Sequence, residues 1–354
     1  MPPARPRVMT KPCQAQNELH LFRGEKMLTR FFQLFDDPLV YVIKSGWSME
    51  AGFGLCRARA KGKPFHVLIP PAWDVAQVAD ELQHFVLAAA GPCPEATFHF
   101  LCPGEADVAL LKARGLNAFC AHQNAFLDET IFKPDPAAKK QFRAVHNAAL
   151  TKWKRHELAW GVKNIAVITF LHEKKDNFEP FSGYKSLAWS NATPDGKLTV
   201  VPPREVARIN NASGAGISLS RTEGCCYANG EYQFCGLPVV STKSTGGRSD
   251  FYDSATTKIV WDHTFFVERA VRHWERHPPD PTAIHGRTIE KAIRHRVRVL
   301  DWLKEISGIN VHAQANANAW HPRFHSRFRM NTKVDPAELP PPVLNPYRFV
   351  FMEA

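Results

Sequence analysis

Short apolar runs recur along the chain at residues 39–43, 65–69, 97–101, 116–121, 143–149, 164–170, 217–219, 238–240 and 257–261. Their length and composition suit buried strands rather than helices. Between them lie segments with apolar residues at helical spacing, at 75–89, 106–113, 203–208 and 227–234. Strands alternating with helices predict an α/β chain with parallel sheets.

Four other stretches carry expectations of their own. Residues 20–35 follow a helical period, with Met27, Leu28, Phe31, Phe32, Leu34 and Phe35 apolar and Arg23, Lys26 and Arg30 basic. The expected element is a helix covering an N-terminal domain, with its charges in solvent; a helix on an anionic membrane surface is the alternative. Residues 153–161 are compatible with a helix, and residues 171–202 are polar and irregular, as an insertion would be. Ile289, Ile293, Val297, Leu300 and Leu303 form a helical apolar stripe, and the basic face of Arg287, Lys291, Arg294 and Arg298 is expected to be solvated.

A length of 354 residues suits two domains, and 44% hydrophobic residues suffice for real cores. Eight cysteines without C-x-x-C spacing read as reduced thiols, not as a disulfide framework or a zinc site. The net charge of +11 favours anionic partners. No run of apolar residues is long enough to span a membrane, and the first residues lack the apolar core of a secretory signal, so a cytoplasmic chain is expected. No nucleic-acid-binding motif accompanies the charge; Phe324, Arg327, Phe328 and Arg329 come nearest and read as a docked tail. His273 and His277 lie four apart, but Trp274 stands where a zinc hydrolase needs glutamate, so they read as a surface helix end. No Walker motif and no Asp-x-Asp is present, and no metal or cofactor is expected.

The densest motif runs from Asn210 to Asp253. Glu223 and Glu231 stand with seven residues between them, Tyr227–Phe234 suits a two-turn helix, and Gly236 sits where a helix-ending glycine belongs. Gly236-Leu237-Pro238-Val239-Val240 and Gly246-Gly247 follow. This pattern resembles the nucleotide-sugar half of retaining GT-B glycosyltransferases of family 4 (glycosyl transferases group 1). A partial second match lies at Pro103-Gly104-Glu105, at Leu111 to Gly115, and at Asn124 to Pro134, with Ala125 where that family usually has glycine.

The resemblance implies two Rossmann-like domains facing across a cleft, the first of them reduced. The implied division is a disordered tail at 1–18, an acceptor-side domain at 19–134, a linker at Pro134-Asp135-Pro136, a nucleotide-sugar-binding domain at 137–310, and a tail at 311–354 for which a return to the first domain is open. It implies that Glu223 contacts the donor sugar, that Glu231 accepts hydrogen bonds from the ribose hydroxyls, and that Lys154 and Arg155 lie by the diphosphate. Gly224 and the backbone N–H groups of Tyr227 and Ala228 would face the same diphosphate from a helix N-terminus. Ala149 stands where the family has a second cation; Lys152, Arg155 and Arg248 are the replacements at hand. In the first domain, Ser45-Gly46-Trp47 and Gly52-Phe53-Gly54 are candidates for its glycine-rich loop. The implied activity is metal-independent, retaining transfer from a UDP-, GDP- or similar sugar to a glycan, lipid-linked or other acceptor, in the cytoplasm and with peripheral membrane association as an option. A non-catalytic nucleotide-sugar-binding or scaffold protein of a glycan assembly is the alternative.

Overall fold

The apolar runs become two open sheets whose strands are chiefly parallel. The computed structural model describes residues 27–29, 31–43, 45–46, 49–170, 181–193, 197–308 and 332–334. A short strand β1 (Met27–Thr29) precedes a first sheet of β2 (Phe31–Asp36), β3 (Leu39–Ile43), β4 (Phe65–Ile69), β5 (Ala96–Cys102) and β6 (Ala118–Cys120), in that spatial order. β2 and β3 are antiparallel and the rest parallel. Helices α1 (Met49–Ala60), α2 (Val75–Ala90) and α3 (Glu105–Lys112) make the return connections. α2 buries Val75, Ala79, Leu82, Phe85 and Ala89 at helical spacing, and the Asp74 carboxylate caps it by accepting from the Ala76 N–H at 3.1 Å.

The second sheet comprises β7 (Ala144–Asn147), β8 (Ile165–Ile168), β9 (Leu187–Ser190), β10 (Gly216–Ser218), β11 (Val239–Thr242) and β12 (Thr257–Val260). All six are parallel, in the order β12-β11-β10-β7-β8-β9. The chain therefore enters at the centre, walks outward to β9, returns to β10 beside β7, and walks outward the other way. Loops leaving β7 and β10 turn in opposite directions, which opens a crevice at the carboxyl edge between them. Helices α4 (Pro203–Asn211), α5 (Tyr227–Phe234), α6 (Thr264–Arg276) and α7 (Pro281–Ser307) cover this sheet.

One apolar cluster joins the two sheets: Val42, Leu68 and Leu101 of the first share it with Val145, Ala166 and Val239 of the second and with Tyr232 of α5. α7 also crosses between them. It starts against the end of α5 and reaches β5 and β6, where Trp302 Nε1 donates to His99 Nδ1 at 3.2 Å and Arg298 donates to the Cys120 carbonyl at 3.3 Å. Farther along, β13 (Thr332–Val334) pairs antiparallel with β1.

Several expectations are corrected. Residues 27–29 and 31–36 are strands, not part of a helix, because β2 pairs with β3 through the tight connection at Asp37-Pro38. Gly52-Phe53-Gly54 is no loop: it lies inside α1, where Phe53 packs against Phe65 and Phe85. Residues 153–161 form two separate 3-10 turns, Lys152–Lys154 and His156–Ala159, divided by Arg155 at φ +50°. Within the supposed insertion, Leu187–Ser190 is the edge strand β9. The expectations for residues 1–18, 20–26, Trp47, 171–180, 311–331 and 335–354 lie outside the described residues.

Gly236 closes α5 at φ +75°, and a Cβ there would lie 2.5 Å from the Pro281 carbonyl oxygen and 2.8 Å from Pro281 Cα. Gly115 has the same φ with nothing within 4 Å of a built Cβ. Gly115→Ala is expected to cost about 1 kcal/mol, from backbone strain alone. Gly236→Ala is expected to cost at least about 2 kcal/mol more, because backbone rather than a movable side chain must yield. Denaturant unfolding of the two variants beside the wild type checks the difference.

Candidate functional site

The crevice between β7 and β10 gathers charge. Lys154 lies in the loop after β7, and its ammonium forms an ion pair with Glu223, in the loop after β10. The two side chains are only 15% and 12% exposed. Ser220 donates its hydroxyl to the other Glu223 oxygen at 2.5 Å. Burial pushes the Glu223 carboxyl up, but Lys154 and Ser220 outweigh it and hold the group below its ordinary value. Burial pulls the Lys154 ammonium down, and Glu223 more than compensates, leaving it raised. Both groups are thus charged at neutral pH.

A second cation stands beside them. Arg248 follows β11, has no exposed surface, and donates to the Ser218 hydroxyl at 3.4 Å, the Ser241 hydroxyl at 3.1 Å and the Thr242 carbonyl at 2.7 Å. Its Nε has no hydrogen-bond partner among the described residues. Three parallel strand ends thus deliver Lys154, Glu223 and Arg248 to one edge of the sheet.

Arg155, expected by the diphosphate, is held by three partners of its own chain. Its guanidinium donates to the Leu219 carbonyl at 2.5 Å, to Asp262 at 2.6 Å and to the Thr242 hydroxyl at 2.6 Å. It straps the loop after β7 to the loop after β10, the end of β11 and the loop after β12, beside Lys154. Beneath that loop, His156 Nε2 donates to the Ala149 carbonyl at 2.8 Å, so its Nδ1 accepts the Tyr184 hydroxyl at 2.9 Å. His146 Nδ1 then donates to the Tyr184 oxygen at 3.1 Å. Burial holds both imidazoles neutral, His156 at about 4 and His146 well below its usual value. The resulting network is a rigid uncharged floor.

Glu231 lies inside α5 with no exposed surface and accepts the Asn147 side-chain amide at 2.9 Å. α5 begins at Tyr227, after Cys226 at φ +42°. The Asn124 amide of the 3-10 turn Gln123–Phe126 donates to the carbonyls of Cys225 and Cys226, at 2.9 and 3.1 Å, and the Tyr227 hydroxyl donates to Gln123 Oε1 at 2.8 Å. Tyr227 and Ala228 occupy the first turn of α5, where helical N–H groups lack intrahelical acceptors.

Loops from the carboxyl end of the first sheet meet this edge. A Cβ on Gly224 would lie 3.3 Å from the Trp73 carbonyl oxygen, one on Gly247 2.2 Å from Pro103, and one on Gly104 2.3 Å from Asp250. Trp73 stacks edge-on against Trp153 at 6.0 Å. Ser45 reaches the same region, accepting from the Ala72 N–H at 2.6 Å. Sequence reasoning missed Ser220, Asn147, Asp262 and Trp73. A partial signal existed in the hydroxyl residues Ser218, Ser220, Ser241 and Thr242, which end two apolar runs. Among the described residues, no group of three or more His, Cys, Asp or Glu is placed to hold a metal ion.

No family model matches the sequence, and no curated protein matches it. Solved structures do. The chain is similar to Anabaena HepE in complex with UDP and glucose and in complex with UDP, each at 12% identity and a TM-score of 0.53, over 76% of this chain and 78% and 79% of HepE. It is similar to the apo structure of OtsA at 10% identity and a TM-score of 0.50, over 78% of this chain and 74% of OtsA. At these identities the likeness shows a shared fold, the mixed α/β fold of GT-B glycosyltransferases.

Proposed function

We propose that the chain is a retaining, metal-independent glycosyltransferase that binds a nucleotide sugar in the β7/β10 crevice, with residues 19–134 and 137–310 as its acceptor-side and donor-side domains. The observation that carries this reading is the meeting of Lys154, Glu223 and Arg248 at the topological switch point of a parallel sheet in this fold.

Breaking the bond between the anomeric carbon and the diphosphate builds negative charge on the leaving oxygen. Lys154, Arg248 and the N-terminus of α5 are the groups that stabilise it. Arg248 takes the part of the cation missing at Ala149. Binding a diphosphate offers Lys154 a new anion, which frees the Glu223 carboxylate to accept hydroxyls of the donor sugar. Glu231 accepts the ribose diol once the Asn147 amide gives way. Retention proceeds without a fixed protein nucleophile: the leaving phosphate oxygen takes the acceptor proton as the acceptor oxygen bonds to the anomeric carbon on the face just vacated. The leading donors are UDP- or GDP-sugars.

The test is a panel of nucleotide sugars incubated with purified protein, with release of nucleoside diphosphate and the anomeric configuration of the product followed by NMR. Turnover with retention supports the proposal, inversion removes the retaining assignment, and the absence of any turnover leaves the second reading, a non-catalytic binding relative, which the buried Ala149 favours. Glu231→Ala removes acceptors for two charge-assisted hydrogen bonds and is expected to raise the nucleoside diphosphate Kd at least about tenfold. Circular dichroism of the variant separates that loss from unfolding.

A further inference from the structure

Exposed apolar bulk in this protein is concentrated in one place. Of seven large hydrophobic side chains exposed among the described residues, four lie within eight positions: Ile259 at 59%, Trp261 at 79%, Phe265 at 58% and Phe266 at 36%. Ile259 sits on the sheet's outermost strand, β12, Trp261 just beyond its carboxyl end, and the two phenylalanines on the first turn of α6 with rings 5.3 Å apart. Such a patch needs a partner that accepts apolar surface.

The surrounding charge says which. Asp262 is paired with Arg155 and Arg221, and Glu268 and Glu275 are paired with Arg143. Arg269 and Arg276 have no ion pair among the described residues, and both lie on the exposed side of α6. Aromatic tips beside excess guanidinium groups match the boundary of an anionic bilayer, where rings enter the headgroup layer and cations meet lipid phosphates. A second copy of the chain would bring this cationic rim against itself, a repulsive pairing.

We propose that the β12–α6 corner, through Trp261, Phe265 and Phe266, docks the protein on anionic membrane surfaces. Trp261 follows β12 at the sheet edge that also carries Lys154, Glu223 and Arg248, and Asp262 ties the corner to the loops after β7 and β10 through Arg155 and Arg221. Docking therefore turns the carboxyl edge of the sheet toward the lipid, where a lipid-borne substrate could reach it. The docking itself rests on exposure and charge, not on the catalytic assignment.

The experiment is co-sedimentation of the full chain with vesicles of phosphatidylcholine, alone or with about one third phosphatidylglycerol. The wild type is expected to bind the anionic vesicles and to release as salt rises. Trp261→Ser/Phe265→Ser/Phe266→Ser is expected to lower the partition coefficient at least about tenfold, and Arg269→Glu/Arg276→Glu severalfold. Thermal melting of each variant confirms folding, and nucleoside diphosphate titration reads the donor site separately. The proposal is overturned if the wild type ignores anionic vesicles, if the triple variant partitions like the wild type, or if light scattering shows that the aromatic residues hold a dimer that does not bind vesicles.

Discussion

Lys154→Ala is expected to lower sugar-transfer turnover by about 10²–10³, the usual loss when a fixed donor to developing charge is removed. Nucleoside diphosphate affinity should fall less, because Arg248 and the α5 N-terminus remain. Lys152→Ala, on the exposed side of the same turn, should leave turnover within about twofold and serves as the control. The pair also has a pH signature. The depressed Glu223 carboxyl contributes stability that is present above its unfolded pKa of about 4.3 and is lost as pH falls through its lower folded value. The raised Lys154 ammonium contributes stability that is present below its unfolded pKa of about 10.4 and is lost as pH rises through its higher folded value. Lys154→Ala leaves Glu223 buried without its ammonium, so its carboxyl should rise and acid unfolding should begin at a higher pH. Steady-state kinetics and acid titration followed by circular dichroism check the two halves of this expectation.

Arg296→Ala is expected to destabilise the fold by about 3–5 kcal/mol, the range for breaking a buried ion pair at one partner. Arg296 is 1% exposed and lies at the middle of α7. Its Nε donates to the Ala125 carbonyl at 2.7 Å, and its guanidinium pairs with Glu129. These partners belong to the segment between the two sheets, so the arginine fixes α7 to the joint between the halves. Truncation leaves a carbonyl and a largely covered carboxylate unpaired. Arg296→Met combined with Glu129→Gln should recover part of the loss, since it removes the stranded charge and keeps most of the volume. Denaturant unfolding measures both, and hydrogen exchange should show the single variant loosening first at residues 123–132.

The parallel strands were readable because their runs are buried on both faces, as in β8, where all four residues are covered. Helix α5 fell at 227–234 because Gly236 marks its end. The strand at 31–36 was misread because Phe31, Phe32, Leu34 and Phe35 fit a helical period as well as a strand; partnership with β3 decides between them, and that partnership is not local. β9 gave no signal because it is an edge strand with none of its residues fully covered. In the site, Glu223 and Lys154 were singled out through the family resemblance, and the folded chain pairs their side chains. The strapping role of Arg155 was not readable, since its partners Leu219, Thr242 and Asp262 lie 64 to 107 positions away. The close approaches at Gly104, Gly224 and Gly247 likewise join loops of different sheets, and only the folded chain brings them together.

The central claim is that the β7/β10 crevice binds a nucleoside diphosphate. Calorimetric titration of the full chain with UDP, GDP and ADP tests it most directly. The expected result is one saturable site for at least one of them, weakened at least about tenfold by Glu231→Ala in a variant that remains folded. Failure of the wild-type protein to bind any of the three would contradict the account.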